Sequence, residues 1–202
     1  MTEVYKRRIT KKPPPRRRDA VATRAAILAS ARRAFAAAGY DGAGVREIAQ
    51  GAGVTAMLVN RYFGSKEKLF AEVVADTMTS PFILTPETAR SPTLAAERAA
   101  GVVVLTEKGA TPLDGFLIML HSASSRRAAE IGKAEIEKHH QKNMTAALKG
   151  NNAPQRAAIA LSLVAGIQVM RQVIGLSALA DADPKTLVKI LTPLFELLVD
   201  GK

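Results

Sequence analysis

Apolar residues recur along this chain at three- and four-residue intervals, and no stretch of any length alternates with the period of two that marks a strand. Ile27, Ala31, Phe35 and Ala38, widened by Leu28 and Ala34, predict a first helix that begins near Ala20, is capped by Thr23 and stops at Gly39. Val45, Ile48, Ala49 and Ala52 mark a short second helix that Gly53 breaks. Thr55 caps a third, in which Val59 and Phe63 point inward, and Gly64 ends it. Ser65 caps a fourth helix with Leu69, Val73 and Val74, running to about residue 79. Pro81, Pro86 and Pro92 punctuate a looser region. Further helices are predicted over roughly 93–108, 112–123, 127–149, 153–179 and 184–199, with Asp183 capping the last and Pro184 in its first turn. The pattern is that of an all-α protein of about nine helices.

Composition agrees with this picture. Nearly half the residues are apolar but only 4% are aromatic, and the alanines and leucines that dominate lose little freedom in a helix. The absence of cysteine excludes disulfides and thiolate metal sites. The longest apolar runs, such as residues 157–163, fall short of the roughly 18–20 residues that span a bilayer, so a cytoplasmic protein with no membrane partner is expected.

Charge changes the picture more. Of the net +11, residues 1–19 carry +6, residues 20–68 carry +4 and residues 69–202 carry +1. A polyanion-binding head on a nearly neutral body has this gradient. Lys11, Lys12, three prolines and Arg16, Arg17 and Arg18 read as a mobile basic arm over residues 1–19. It is either a DNA-contacting arm or a solubilising tail; the position of the three arginines directly before the first helix favours the former.

Residues 45–63 have the mechanics of a helix-turn-helix: a short helix, a glycine turn and a second short helix. Ala56, Met57, Asn60 and Arg61 are then left facing outward. Asn and Arg on an exposed helix bond adenine and guanine edges in the major groove, and Met57 and Leu58 suit thymine methyls. Thr55, Tyr62 and Lys66 surround this face as phosphate contacts, and Arg46 reaches backbone or a flanking base. Taken singly, Arg61 and Lys66 are ordinary solvated charges and Met57-Leu58-Val59 is ordinary core; the pattern carries the reading.

The stretch Thr23-Arg24-Ala25-Ala26-Ile27-Leu28, with Phe35, Gly39-Tyr40, Val45-Arg46-Glu47-Ile48-Ala49, Ala52-Gly53-Val54 and Tyr62-Phe63-Gly64-Ser65-Lys66-Glu67-Lys68-Leu69, resembles the N-terminal domain of the TetR family of regulators. The resemblance covers about 50 residues with their spacing intact. It implies a homodimeric repressor on a palindromic operator in double-stranded DNA, released when a small-molecule effector enters the C-terminal domain. It also implies base or nearby contacts by Arg46, Ala56, Met57, Leu58, Asn60 and Arg61, and phosphate contacts by Thr55, Tyr62 and Lys66. Gly44 departs from the pattern, standing where the family commonly has Ser or Thr to cap the second helix and touch a phosphate.

The expected organisation is a basic arm (1–19), a helix-turn-helix DNA-binding domain (20–68) and an effector-binding and dimerisation domain (69–202). In the body, Ile159, Leu163, Ile167, Met170 and Ile174 line one helix, and Leu187, Ile190, Leu191, Leu194 and Leu198 line the last. These faces either fill the subunit core or, with the surplus Val164, Val173, Phe195 and Val199, build a four-helix bundle with a second subunit. Met78, Phe82, Leu105, Phe116, Met119, Leu120 and Met144 are candidates to line an apolar effector cavity, with His121, Ser122 and Ser124 as polar handles, although a Met or Phe at helical spacing is more often core and His121 more often a core or surface histidine than a ligand. His139 and His140, among charged neighbours, read as a solvated helix face. No cofactor, metal or enzymatic activity is expected: there is no nucleophile–base pair and no phosphate loop in strand–turn–helix context. The competing reading is a non-specific architectural DNA binder using the arm alone.

Overall fold

A computed structural model describes residues 17–78, 91–105 and 114–200, and every regular element among them is a helix. They are α1 (Arg17–Gly42), α2 (Val45–Gly51), α3 (Ala56–Phe63), α4 (Lys66–Thr77), α5 (Pro92–Leu105), α6 (Asp114–His121), α7 (Arg126–Ile136), α8 (Lys142–Ala147), α9 (Ala153–Gln168), α10 (Ser177–Ala180) and α11 (Pro184–Asp200). A π-helical segment, Glu137–Gln141, joins α7 to α8, and a second, Val169–Val173, prolongs α9.

Several boundaries differ from the sequence expectation. α1 starts at Arg17, so Thr23 lies inside it and its hydroxyl donates to the Asp19 carbonyl (2.6 Å) instead of capping. Gly39, at φ 66° and ψ −176°, is non-helical and ends the first straight run as expected, with a further turn carrying on to Gly42, and Ala38 is exposed. The rods expected over 127–149 and 153–179 are both interrupted by π turns, and the second breaks at Gly175, whose φ of 73° a helix cannot accommodate. Three caps are as expected: the backbone N–H groups of Leu58, Lys68 and Thr186 donate to the side chains of Thr55, Ser65 and Asp183.

The buried apolar residues form two clusters. The first joins Ile27, Ala31 and Phe35 of α1 to Ile48, Val59 and Phe63 of the next two helices, to Leu69, Phe70, Val73 and Val74 of α4, and onward to Ile118 of α6 and Ala128 of α7. Phe70 makes edge-to-face contacts with both Phe35 and Tyr40 at 5.0 Å. The second is built where the small residues Ala95, Ala96, Ala99 and Ala100 let α5 approach α11 closely, against Leu187, Leu191, Phe195 and Val199. Phe195 and Val199, expected to be surplus, are therefore core. The i,i+4 ridge from Leu187 to Val199 faces α5, which turns Ile190, Leu194 and Leu197 outward. Arg156 ties this body together: its guanidinium donates to the carbonyls of Lys149, Asn151, Leu198 and Val199, satisfying the end of α11.

Residues Ala153–Val173 make a 21-residue helical run whose most apolar window has mean hydropathy 1.2, long and apolar enough by those two measures to cross a membrane. The sequence shows no uninterrupted apolar stretch of that length because Gln155, Arg156, Ser162, Gln168, Arg171 and Gln172 fall within it. Only 22% of its most apolar window is buried within the subunit.

Candidate nucleic-acid interface

The turn between α2 and α3 is set by backbone chemistry. Gly53 takes φ 67°, and the N–H groups of Gly53 and Val54 bond back to the carbonyls of Gln50 and Ala49 (3.0 and 2.9 Å). Ser30 of α1 donates to the Ile48 carbonyl (2.9 Å), and a Cβ at Gly51 would lie 2.4 Å from that hydroxyl. Close approach of α1 to α2 thus depends on a residue without a side chain. Val59 and Phe63 are buried, so α3 is fixed from behind.

Its outward face carries Met57, Asn60 and Arg61, all exposed, and Arg46 is exposed on α2. Leu58 is half-buried, while Ala56 and Tyr62 lean on the head's core. Thr55 is exposed at the α3 N-cap. Gly44 is the N-cap of α2 and provides no side-chain cap. Lys66 opens α4 with its ammonium 4.7 Å from the centre of the Tyr40 ring, so it is held by a cation–π contact. Arg24 stacks over Phe63 at 4.8 Å while pairing with Glu72. Burial, and then Glu67 and Asp41, raise the Tyr40 hydroxyl above its ordinary pKa against the opposing effect of Arg127, so it remains a neutral phenol. Of the arm's arginines, Arg17 and Arg18 belong to the first turn of α1 by their backbone, and Arg16 lies outside the described residues.

The candidate effector residues are not gathered around one described cavity. Met78 is buried in the head's core and Met119 packs on Gly132, whereas Met144 belongs to the second core. Phe116 is half-buried, Leu120 and Ser124 are exposed, the Leu105 side chain is not described and Phe82 lies outside the described residues. His121 sits at a joint: its Nδ1 donates to the Ala36 carbonyl of α1 (2.6 Å). Beside it, the Tyr40 N–H donates to the buried Ser122 hydroxyl (2.9 Å) and Ser125 donates to Asp41 (3.2 Å). Arg32 binds Asp114 (2.8 Å) and Arg127 binds Glu67 (3.2 Å). Sequence reasoning missed this joint, since its partners lie 60 to 85 residues apart and carry no motif. His139 and His140 are half-buried, not solvated, and His139 faces Glu135 at 3.1 Å. A shallow groove of about 610 Å³ lies between α5 and α11, lined by Glu97, Lys185, Val188, Lys189 and three neighbours, and includes none of the candidate effector residues.

Comparison with known proteins meets this geometry at both ends of the chain. Residues 27–73 match the model for bacterial regulatory proteins of the TetR family, and residues 93–199 match a tetracycline-repressor-like C-terminal domain. Similar folds include a TetR-family regulator from Streptomyces coelicolor (23% identity, TM-score 0.54, covering 92% of this chain and 99% of that one). A transcriptional regulator from a Rhodococcus species is also similar (22%, 0.61, 88% and 96%). A third is NalD of Pseudomonas aeruginosa, the secondary repressor of the MexAB-OprM multidrug efflux pump (20%, 0.57, 86% and 94%). No curated protein matches the sequence. With an exposed helix-turn-helix face and family models matching both its head and its body, this chain belongs to the TetR family of DNA-binding transcriptional regulators.

Proposed function

We propose that the protein is a cytoplasmic, homodimeric repressor that binds a palindromic operator and leaves it when a small, largely apolar molecule enters the body. The observation that carries the DNA-binding half of this reading is the α3 face: Asn60 and Arg61 stand exposed on a helix that Val59 and Phe63 lock from behind. Asn60 offers paired bonds to an adenine edge and Arg61 to a guanine edge. Thr55, Tyr62 and Lys66 lie beside this face as phosphate ligands, Arg46 reaches backbone or a flanking base, and the basic arm with Arg16, continued by Arg17 and Arg18 in the first turn of α1, follows the duplex. The exposed stripe of Ile190, Leu194 and Leu197, together with Ile159, Met170 and Ile174 from α9 and its extension, supports pairing of two subunits through α9 and α11. Release by an effector is a property of the family, and the nearly neutral, apolar body suits a small apolar molecule.

The test is selection of bound duplexes from a random pool, followed by affinity measurement with Arg61→Ala. An inverted repeat should emerge, and the variant should lose about 1–3 kcal/mol with relaxed preference at one position per half-site. Equal weakening on every sequence would reduce Arg61 to a phosphate contact, and a pool with no preferred sequence would end the specific-operator reading.

A further inference from the structure

Met57 is the most exposed of the large apolar residues described, at 81%. Nearly all the others with exposed apolar bulk belong to α5, α9, α11 and the segment after α9; in the head only Val21 accompanies it. An α-helix turns about 100° per residue. With Val59 and Phe63 defining the inward direction of α3, Arg61 falls directly opposite and Met57 about 40° to one side of it, while Asn60 and Leu58 flank them. Whatever groove receives this helix, Met57 and Arg61 enter deepest, separated by one turn. Four residues rise about 6 Å along the axis, close to two base steps of about 3.4 Å.

We propose that Met57 is a specificity-determining residue that reads a C5-methyl group, so that each half-site carries a thymine about two base pairs from the guanine bound by Arg61. This rests on the operator-binding reading above and adds the chemistry of one base. The thioether is flexible and polarizable, has no donor and is only a weak acceptor, so the base feature it suits best is that methyl, the one apolar group the major groove displays. Leu58 is half-buried and turned about 100° aside, which leaves Met57 as the apolar contact.

The experiment replaces each thymine of the selected half-site, one at a time, by deoxyuridine, which removes only the methyl. Binding is measured for the wild-type dimer and for Met57→Ala. One position should weaken wild-type binding about fourfold, the factor expected for burying one methyl-sized group, and Met57→Ala should bind the two duplexes at that position equally. Cytosine placed there should bind less well than 5-methylcytosine in the wild type but not in the variant. Because Met57 belongs to neither apolar cluster, an unchanged melting temperature will show that Met57→Ala is folded. The proposal is overturned if no thymine-to-deoxyuridine change matters, or if the sensitive position remains sensitive in Met57→Ala. If selection yields no preferred sequence, it is the operator reading that has failed.

Discussion

Gly39 meets two demands at once. Its φ of 66° lies where L side chains are rarely found, and a Cβ there would stand 2.2 Å from the His121 carbonyl oxygen. Since the obstacle is backbone from another helix, no rotamer change relieves it. Gly39→Ala should cost about 2–4 kcal/mol, combining left-handed strain with overpacking at the joint. Urea denaturation measures this, and a loss under about 0.5 kcal/mol would mean that the joint is loose enough to yield. Gly44 shows the opposite case: its φ is −88°, a Cβ there would meet nothing within 4 Å, and it supplies no side-chain cap that a substitution could remove. The two glycines look alike in the sequence. What separates them is a partner 82 residues away, whereas the caps at Thr55 and Ser65 were legible because donor and acceptor lie three residues apart.

The same distinction governs whole elements. The helix-turn-helix could be read from the sequence because its inward residues, Ile48, Ala49, Val59 and Phe63, repeat at helical spacing and its turn needs a glycine. The body was legible as helices but not in their register. Which face of α11 is core depends on the alanines of α5, and the π turns add residues without any glycine or proline within Glu137–Gln141 to announce them. That turn brings His139 and His140 partly inside. Burial, with the neighbouring His139 second, lowers the His140 pKa below the ordinary histidine value. Folding therefore favours the neutral ring. The stability this contributes is fully present above the unfolded pKa of about 6.5 and is lost as the pH falls through the lower folded value. The wild-type melting temperature should accordingly fall more steeply between about pH 7.5 and about pH 5 than that of His140→Gln, which has no proton to gain there. Parallel slopes in the two proteins would show that some other group sets the acid sensitivity.

At the scale of the whole molecule, the two apolar clusters do different work. The first is continuous from α1 to α7, so the joint at His121, Ser122 and Ser125 ties part of the body to the head. The second leaves Ile190, Leu194 and Leu197 at 58%, 46% and 64% exposure beside a largely uncovered apolar α9. An exposed apolar face of this kind is rare on a monomer, and in the dimer proposed above a second copy related by a two-fold axis would cover it. The same axis would give two α3 faces their fixed spacing on a palindrome. Leu194→Glu separates dimerisation from folding, because Leu194 lies off the Leu187–Leu191–Phe195–Val199 ridge that holds α11 on α5. Placing a carboxylate at the centre of an apolar interface leaves it desolvated and unpaired in the dimer, a cost of several kcal/mol, but leaves it hydrated in the monomer. Light scattering should then report a dimer for the wild type without detergent and a monomer for the variant, with unchanged helical circular dichroism. Operator affinity should fall by about 100-fold or more, since each recognition helix must bind without its linked twin. A variant that stays dimeric would move the interface away from this stripe. A folded monomer that binds the palindrome as tightly as the wild type would show that pairing through α9 and α11 is not what sets two recognition helices on DNA.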